Sequence, residues 1–191
     1  MRVITREALA ELPIRRYEGP VSLVTTLSEL ADARADLRGE RVVGLDTETR
    51  PSFRKGEIHL PCLVQAATVR SVYLFQLSRL EVLPGLAELL ASPAVVKAGV
   101  GITYDLAQLK KVFPFAVENA LDLGVVARRR GMGQSGVRNL AGMLLGFRIP
   151  KGNRTSNWAA PRLSPAQINY AATDAWACRE LYLKFESEGL L

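Results

Sequence analysis

The chain has 191 residues, 48% of them hydrophobic, which suits one globular domain over residues 1–191 and leaves little room for a second. Its 25 basic and 19 acidic residues give a net charge of +6, and its single histidine, His59, excludes any site that needs two histidine ligands. Cys62 and Cys178 belong to no paired-cysteine motif, so no disulfide framework or zinc ribbon is indicated. The N-terminus lacks the apolar core of a secretory signal, and no uninterrupted apolar stretch could span a bilayer; we therefore expect a cytoplasmic protein without membrane contact.

The first half of the chain predicts two outer helices and three neighbouring strands. Apolar residues at helical spacing predict a short helix from Thr5 to Leu12 and a longer one from Leu27 to Leu37, which ends before Gly39. Three β-rich runs follow, RVVGLDTET, CLVQAAT and VYLFQL, separated by turn-forming residues. This order predicts an antiparallel meander.

Helices and strands alternate in the second half of the chain. Helical periodicity marks four segments, Leu80 to Ala91, Tyr104 to Val112, Leu123 to Arg130 and Val137 to Leu145, and VVKAGV is a buried strand between the first two. After the loop FRIPKGNRTSNW, a capping-box pattern at Ser164 and Gln167 opens a last helix that runs to about Glu186. A meander followed by such units predicts an α/β fold in which helices cover both faces of a mixed sheet.

Asp46 and Glu48 form the first motif that could support chemistry. They lie two residues apart on a predicted strand, so their side chains point to the same face, at the end of the apolar run VVGL. Two carboxylates beside a buried strand repel one another, and a divalent cation is the usual way to make such a pair favourable. An Asp-x-Glu also arises by chance in many chains, so this motif is weak when taken alone.

Two further motifs add to this pair. Asp105 opens a helix directly after a glycine-containing turn at a strand's end, where it can stabilise the helix N-terminus and also face the edge of the sheet at which α/β proteins place their sites. Tyr170 and Asp174 are four residues apart on the last helix and so share one of its faces. The three motifs occur in the order needed to assemble one site, and their combination is the strong signal.

The positive charge is concentrated in one segment of the chain. No acidic residue occurs between Asp122 and Asp174, which leaves 17 basic and 19 acidic residues elsewhere. The eight basic residues of this segment are Arg128, Arg129, Arg130, Arg138, Arg148, Lys151, Arg154 and Arg162. An isolated basic cluster is usually a solvated face, but this one adjoins a candidate catalytic acid, which favours a polyanionic ligand.

At this point the chain resembles the DEDD superfamily of 3′-to-5′ exonucleases, on the motifs GLDTET, the segment around Asp105, and YAATD. It resembles the tyrosine branch, because the position that holds the general base in the histidine branch is Asn169 here. The resemblance implies a ribonuclease H-like, five-stranded mixed sheet, with residues 1–20 as an N-terminal extension and 21–188 as the catalytic core. The segments KAGVGI, SNW and YAATDA are closer to Werner-syndrome helicase exonuclease domains than to ribonuclease D, which mildly favours DNA over RNA. A substrate-contacting tryptophan of the helicase lacks a counterpart, since Ala107 occupies that position.

The resemblance also implies two divalent cations, Mg²⁺ or Mn²⁺, which suit a set of hard oxygen ligands. Asp46 would bridge both ions, Glu48 and Asp174 would support the ion that binds the attacking water, and Asp105 would assist the other. Tyr170 would orient the water and accept its proton only with help from the metal. No nucleotide cofactor is expected.

The expected partner is the 3′ end of a DNA or RNA strand. Candidate contacts to it are Thr47, Arg128, Arg129, Arg130, Lys151, Arg154 and Trp158. Trp158 could stack on a base, although core packing explains it at least as well. Three alternatives stay open: ribonuclease D-like processing of RNA 3′ ends, a catalytically silent nucleic-acid-binding module, and a partner protein whose carboxylates are incidental surface charges.

Overall fold

The computed structural model describes residues 2–54, 56–152 and 155–191. Seven α-helices lie in these ranges: α1 (Arg6–Glu11), α2 (Leu27–Arg38), α3 (Leu83–Ala91), α4 (Ile102–Leu109), α5 (Leu123–Arg129), α6 (Val137–Leu140) and α7 (Pro165–Ser187). The described strands are β1 (Val21–Val24), β2 (Val42–Thr49), β3 (Pro61–Ala67), β4 (Val72–Gln76), β5 (Val96–Gly99) and β6 (Ala120–Asp122). None of the described helices has the length and apolar composition needed to cross a membrane.

The strands form one mixed sheet in the order β1-β4-β3-β2-β5-β6. β2, β3 and β4 are the predicted antiparallel meander, and β5 and β6 continue the sheet in parallel with β2. The expected count of five strands was wrong, since six strands pair in the part of the chain that the structure describes. β1 and β6 have only four and three residues and lie at the two edges, so neither has the long apolar run by which a strand is recognised in sequence.

Helices cover both faces of the sheet, as predicted. On one face, leucines of α2, α3 and α4 pack against Val43, Leu45 and Val64. On the other face, small residues of α7, among them Ala171 and Ala175, lie against Leu63 and Leu74. β2 is buried between these layers, which explains why its sequence VVGL is continuously apolar.

α7 approaches β2 so closely that only glycine fits at position 44. A Cβ atom at Gly44 would lie 2.0 Å from the carbonyl oxygen of Ala175 and 2.6 Å from the amide nitrogen of Arg179. The helix itself begins at the predicted capping box, in which the Ser164 side chain accepts from the Gln167 amide and the Gln167 side chain accepts from that of Ser164. The start of the helix and its contact with the sheet are therefore both fixed.

Two helices have bounds that differ from the predicted ones, because glycines with positive φ change the direction of the backbone at their ends. α4 begins at Ile102 rather than Tyr104, since Gly101 adopts φ 83° and turns the chain into the helix. The helix predicted from Val137 to Leu145 is α6 followed by a π-helical turn, Ala141–Leu145, which ends at Gly146 with φ 71°. Asp105 consequently lies in the first turn of α4 and does not cap it.

The N-terminal segment is held along α7 and the basic segment. The Tyr17 amide donates to Thr173 Oγ1 at 3.1 Å, and the Arg148 amide donates to the Pro13 carbonyl at 2.9 Å. Arg148 also donates from Nε to the Leu12 carbonyl at 3.0 Å. This arginine therefore fastens the N-terminal segment to the body of the protein.

We predict that Gly44→Ala lowers the free energy of unfolding by about 3 kcal/mol, because the new methyl group must push α7 off the sheet. Urea denaturation measures the change. Gly39→Ala is the matched control, since Gly39 has φ −76° and its Cβ would lie 3.4 Å from the nearest atom, the Asp36 carbonyl oxygen. Equal effects of the two substitutions would contradict the close contact between α7 and β2.

Candidate active site

Three carboxylates from two elements converge where β2 passes under α7. Asp46 and Glu48 come from β2, and Asp174 comes from α7, which lies across that strand. One oxygen from each of the three lies within 4.8 Å of the others. Glu48 and Asp174 are only 7% and 6% exposed, so the charges are close together and poorly hydrated.

Asp105 approaches the same strand from the other side of Thr47. β5 ends at Gly99, and the turn at Gly101 starts α4 with Asp105 half-buried in its first turn. The Thr47 side chain is within hydrogen-bonding range of the Asp105 carboxylate. Asp105 lies outside the group of three carboxylates that share the 4.8 Å cluster, although its charge still acts on Asp46.

The site opens into two neighbouring clefts of about 400 and 430 Å³ that share Thr47 and Glu48. The first is lined by Asp46, Thr47, Glu48, Val100, Gly136, Val137, Arg138, Asn139, Tyr170 and Asp174. The second is lined by Thr47, Glu48, Thr49, Pro51, Asp105 and Thr155. A nucleic-acid strand that crosses β2 could therefore contact the carboxylates from both clefts.

Tyr170 borders the first cleft one helical turn before Asp174, and their side chains are hydrogen-bonded. The Tyr170 ring is packed on two sides. A Cβ at Gly152 would lie 3.2 Å from the ring, and the centroid of the Trp158 ring is 6.0 Å away at a tilt of 41°. Gly152 in the loop after α6 and Trp158 in the core therefore hold the ring, and with it the hydroxyl, in the cleft.

Burial dominates the electrostatics of the site. It raises the pKa of Asp46 well above its usual range, and the charges of Asp174 and Asp105 raise it further. Burial also raises the pKa of Asp105 and of Asp174 to about 6, although a hydrogen bond from Tyr170 and the charge of Arg138 oppose the shift at Asp174. The pKa of Tyr170 rises because of burial and the negative charges of Asp174 and Glu48, so its hydroxyl keeps its proton at neutral pH.

This cluster fits divalent cations. Like charges held together out of water destabilise the folded state unless protons or cations neutralise them. The donor set of Asp46, Glu48, Asp174 and Asp105 contains only hard carboxylate oxygens, which Mg²⁺ and Mn²⁺ accept. A carboxylate cluster able to bind metal is thus present, as the sequence predicted.

The predicted nucleic-acid contacts divide into two groups. Asp122 is the N-cap of α5, and Arg128 to Arg130 lie at the opposite end of that helix, about 10 Å further along its axis. Arg128 reaches back to Ser135 Oγ at 2.9 Å, beside the cleft residue Gly136, whereas Arg130 donates to the carbonyls of Leu190 and Leu191. Arg129 is exposed and lines neither of the two clefts.

The loop after α6 brings other residues to the site. Lys151 is exposed next to Gly152, which lies against Tyr170. Arg154 falls outside the described residues. Trp158 is 1% exposed and packs in the core with Leu63 and Ala172, so its assignment as a base-stacking residue was wrong and core packing explains it. Thr47 lines both clefts, and its contact with nucleic acid stays a prediction.

Prediction from the sequence did not include two residues that belong to the site. Arg138 lines the first cleft, where its charge acts on Asp174 while its Nε donates to the Ile149 carbonyl at 3.1 Å. Asp122 accepts hydrogen bonds from four backbone amides, those of Gly101, Thr103, Gly124 and Val125, and thereby ties the first turns of α4 and α5 together. The position of Asp122 at the end of a short strand could have identified it in the sequence. Arg138 had no such signal apart from its charge.

Comparison with known proteins assigns the chain to a family. Residues 21–189 match a family model described as 3′-5′ exonuclease. The chain belongs to the 3′-5′ exonuclease family. It is 32% identical to a 3′-5′ exonuclease of Arabidopsis thaliana over 94% of this chain and 68% of the plant protein. The membership agrees with the DEDD-type motifs of the sequence.

Further relatives differ in length and in the reactions that their names describe. A ribonuclease D of Gluconacetobacter diazotrophicus is 35% identical over 92% of this chain, and a bifunctional 3′-5′ exonuclease/ATP-dependent helicase of Mus musculus is 34% identical over 91%. This chain spans 45% of that ribonuclease D and 13% of that helicase. The Nibbler EXO domain of Aedes aegypti has a similar structure, with a TM-score of 0.78, 26% identity and coverage of 91% of this chain and 90% of that one. The ribonuclease H-like fold expected from the motifs is confirmed.

We predict that Asp174→Asn stabilises the metal-free protein at pH 8 by about 2 kcal/mol and has little effect at pH 4. The pKa of Asp174 is about 6 in the folded protein against an ordinary value of 3.8, so the folded state binds its proton more tightly than the unfolded chain does. The stability from this group is therefore complete below about pH 4 and is lost as the pH rises through about 6. Thermal denaturation in EDTA from pH 4 to 8 measures the difference between native protein and variant.

In the same experiment, Mg²⁺ or Mn²⁺ at pH 8 should stabilise the native protein more than the Asp174→Asn variant, because the cations replace the missing protons. A constant difference between the two proteins across the pH range would contradict the raised pKa. Equal stabilisation of both proteins by the cations would contradict a role for Asp174 in holding them.

Proposed function

We propose that the chain is a metal-dependent exonuclease that hydrolyses phosphodiester bonds at nucleic-acid 3′ ends and releases nucleoside 5′-monophosphates. The observation that supports this is the convergence of Asp46, Glu48 and Asp174 on one cluster, in which Glu48 and Asp174 are buried and Asp46 is half-buried, with Tyr170 lining the same cleft. Residues 21–188 form the proposed catalytic core, and residues 1–20 form an N-terminal extension. A cytoplasmic location is part of the same proposal.

Two Mg²⁺ or Mn²⁺ ions are the proposed cofactors. Asp46 would contribute to both ions, Glu48 and Asp174 to one, and Asp105 to the other. When bound, such ions make water a better nucleophile and stabilise the charge that develops on a phosphodiester and its leaving oxygen. The separation of Asp105 from the cluster of three by Thr47 agrees with this division of the ligands.

Tyr170 is proposed to act through the hydrogen bonds of its hydroxyl group. Burial and three nearby carboxylates raise its pKa, so it is not a free base at neutral pH. Packing against Gly152 and Trp158 fixes the ring, and the hydrogen bond to Asp174 fixes the hydroxyl. A rigid hydroxyl of this kind can orient an attacking water, which is an entropic contribution to the rate.

The substrate is a DNA or RNA strand with a free 3′ end. The segments KAGVGI, SNW and YAATDA resemble those of Werner-syndrome helicase exonuclease domains, and this resemblance mildly favours DNA. A ribonuclease D and an exonuclease-helicase match this chain at 35% and 34% identity, which gives RNA 3′-end processing equal support. The ribonuclease D of Trypanosoma brucei, which has a similar fold at 21% identity and a TM-score of 0.75, has been solved in complex with RNA. Both polymers are therefore candidates.

The phosphate backbone is proposed to follow the positive side chains that border the clefts. Arg138 lines the first cleft, and Lys151 lies next to the glycine that packs on Tyr170. Arg128 extends this path beside Gly136. Arg130 is assigned no role in binding, because its guanidinium is hydrogen-bonded to the last carbonyls of the described chain.

We predict that the native protein, supplied with Mg²⁺ or Mn²⁺, releases mononucleotides from a 3′-labelled single strand or a recessed duplex. Asp46→Asn should reduce the rate by more than about 1000-fold, because it removes a ligand shared by both proposed ions, and Tyr170→Phe by about 100-fold. The measurement is product analysis on DNA and RNA substrates side by side. If the native protein binds the strand without releasing nucleotides, a catalytically silent nucleic-acid-binding module is favoured. If it shows no binding and no release, the proposal is contradicted.

We predict that Arg138→Gln lowers kcat/KM by about 10- to 100-fold and reduces the slope of log affinity against log salt by about 1, because one phosphate contact is lost. Arg148→Gln is the matched control. Both arginines donate from Nε to a backbone carbonyl, but only Arg138 lines the cleft. Arg148→Gln should lower thermal stability and leave the salt slope unchanged; equal salt slopes for native protein and Arg138→Gln would remove Arg138 from the path.

A further inference from the structure

Gln65 is a buried amide without a partner. It lies in the middle of β3 with 0% exposure, and neither its amide nitrogen nor its amide oxygen has a hydrogen-bond partner among the described residues. Buried polar side chains are nearly always paired, because desolvation without a hydrogen bond destabilises the folded state. The other buried glutamines, Gln76 and Gln167, both donate to backbone carbonyls.

The register of the sheet places Gln65 directly opposite Asp46. The two residues are partners in the antiparallel pairing of β3 with β2, so their side chains lie on the same face with Cβ atoms about 5 Å apart. On this face Gln65 also lies beside Leu63 and Ala67 on its own strand and directly opposite Leu74 on β4, while Glu48 and Gln76 lie diagonally across from it. Asp46 is therefore the one polar side chain directly opposite Gln65 on the two neighbouring strands.

We propose that Gln65 is a positioning residue for Asp46, whose carboxylate accepts a hydrogen bond from the Gln65 amide nitrogen when the divalent cations are held. The inference rests on the proposed function, in which Asp46 is the ligand shared by both cations. Three rotatable side-chain bonds allow the amide, which has no competing partner among the described residues, to turn toward the carboxylate. The hydrogen bond would restrict the orientation in which Asp46 presents its oxygens.

The chemistry of an amide suits this position. A lysine or arginine opposite Asp46 would neutralise the carboxylate and compete with the cations, whereas an apolar side chain would offer no hydrogen bond to it. A glutamine donates without adding charge, so the full negative charge of Asp46 stays available. Residues that hold a metal ligand in this way typically affect metal affinity or activity by about 10- to 100-fold.

The test replaces Gln65 by methionine or leucine, two apolar side chains of similar size but different shape. Mn²⁺ binding is measured by titration calorimetry at pH 7.5, and the stability of the metal-free protein is measured by thermal denaturation. Mn²⁺-dependent release of mononucleotides from a 3′-labelled strand is followed in parallel. Gln76→Met is the matched control, because Gln76 is also a buried glutamine of this sheet but donates to the Ala160 carbonyl at 3.2 Å.

We expect Gln65→Met to weaken Mn²⁺ binding by about 10-fold or more and to raise the Mn²⁺ concentration needed for half-maximal activity to match. Its melting temperature should equal or exceed that of the native protein, because an unpaired buried amide is removed. Gln76→Met should show the reverse, with a lower melting temperature and native Mn²⁺ affinity. Native Mn²⁺ affinity in Gln65→Met, or failure of both Gln65 variants to fold, would overturn the proposal.

The readouts separate this inference from the proposed function. If the native protein degrades the strand and Gln65→Met binds Mn²⁺ normally, only the role of Gln65 fails. If the native protein binds Mn²⁺ in a Gln65-dependent way but releases no nucleotide, the exonuclease proposal fails and the role of Gln65 stands.

Discussion

The contact between α7 and β2 at Gly44 is the constraint on which the site depends. The carbonyl oxygen of Ala175 occupies the space where a side chain of residue 44 would be. Asp174 directly precedes Ala175, and Asp46 lies two residues beyond Gly44 on the same face of the strand. One close approach of two backbones therefore brings together acids that lie 128 residues apart in the sequence, both on regular elements of the fold.

That approach places negative charges where the protein cannot easily hydrate them. The raised pKa of Asp46, and the pKa of about 6 for Asp105 and Asp174, express the free energy that the folded state loses when these groups ionise. The surrounding structure tolerates this because the apolar layers on the two faces of the sheet hold β2 in place. The same repulsion makes cation binding favourable, so the destabilisation of the metal-free site and its proposed affinity for metal have one cause.

Sequence patterns predicted those parts of the site that follow from local geometry. Asp46 and Glu48 share a face because a strand has a period of two, and Tyr170 and Asp174 share a face because they lie one helical turn apart. Features set by tertiary contact could not be predicted in this way. Trp158 lies in the core only because the loop folds beneath Tyr170, and β6 is too short to be recognised without its pairing to β5.

The distribution of positive charge shows why net charge alone was a poor guide to the binding surface. Eight basic residues share the acid-free segment, yet Arg130 and Arg148 use their guanidinium groups to hold backbone carbonyls. These two contacts fasten the chain's two ends, because Arg130 binds the C-terminal residues and Arg148 binds the N-terminal segment. Only a side chain anchored beside the carboxylates, such as Arg138, can offset their charge as a phosphate approaches. Affinity for a polyanion would then depend on the placement of a few cations at the cleft more than on the total of +6.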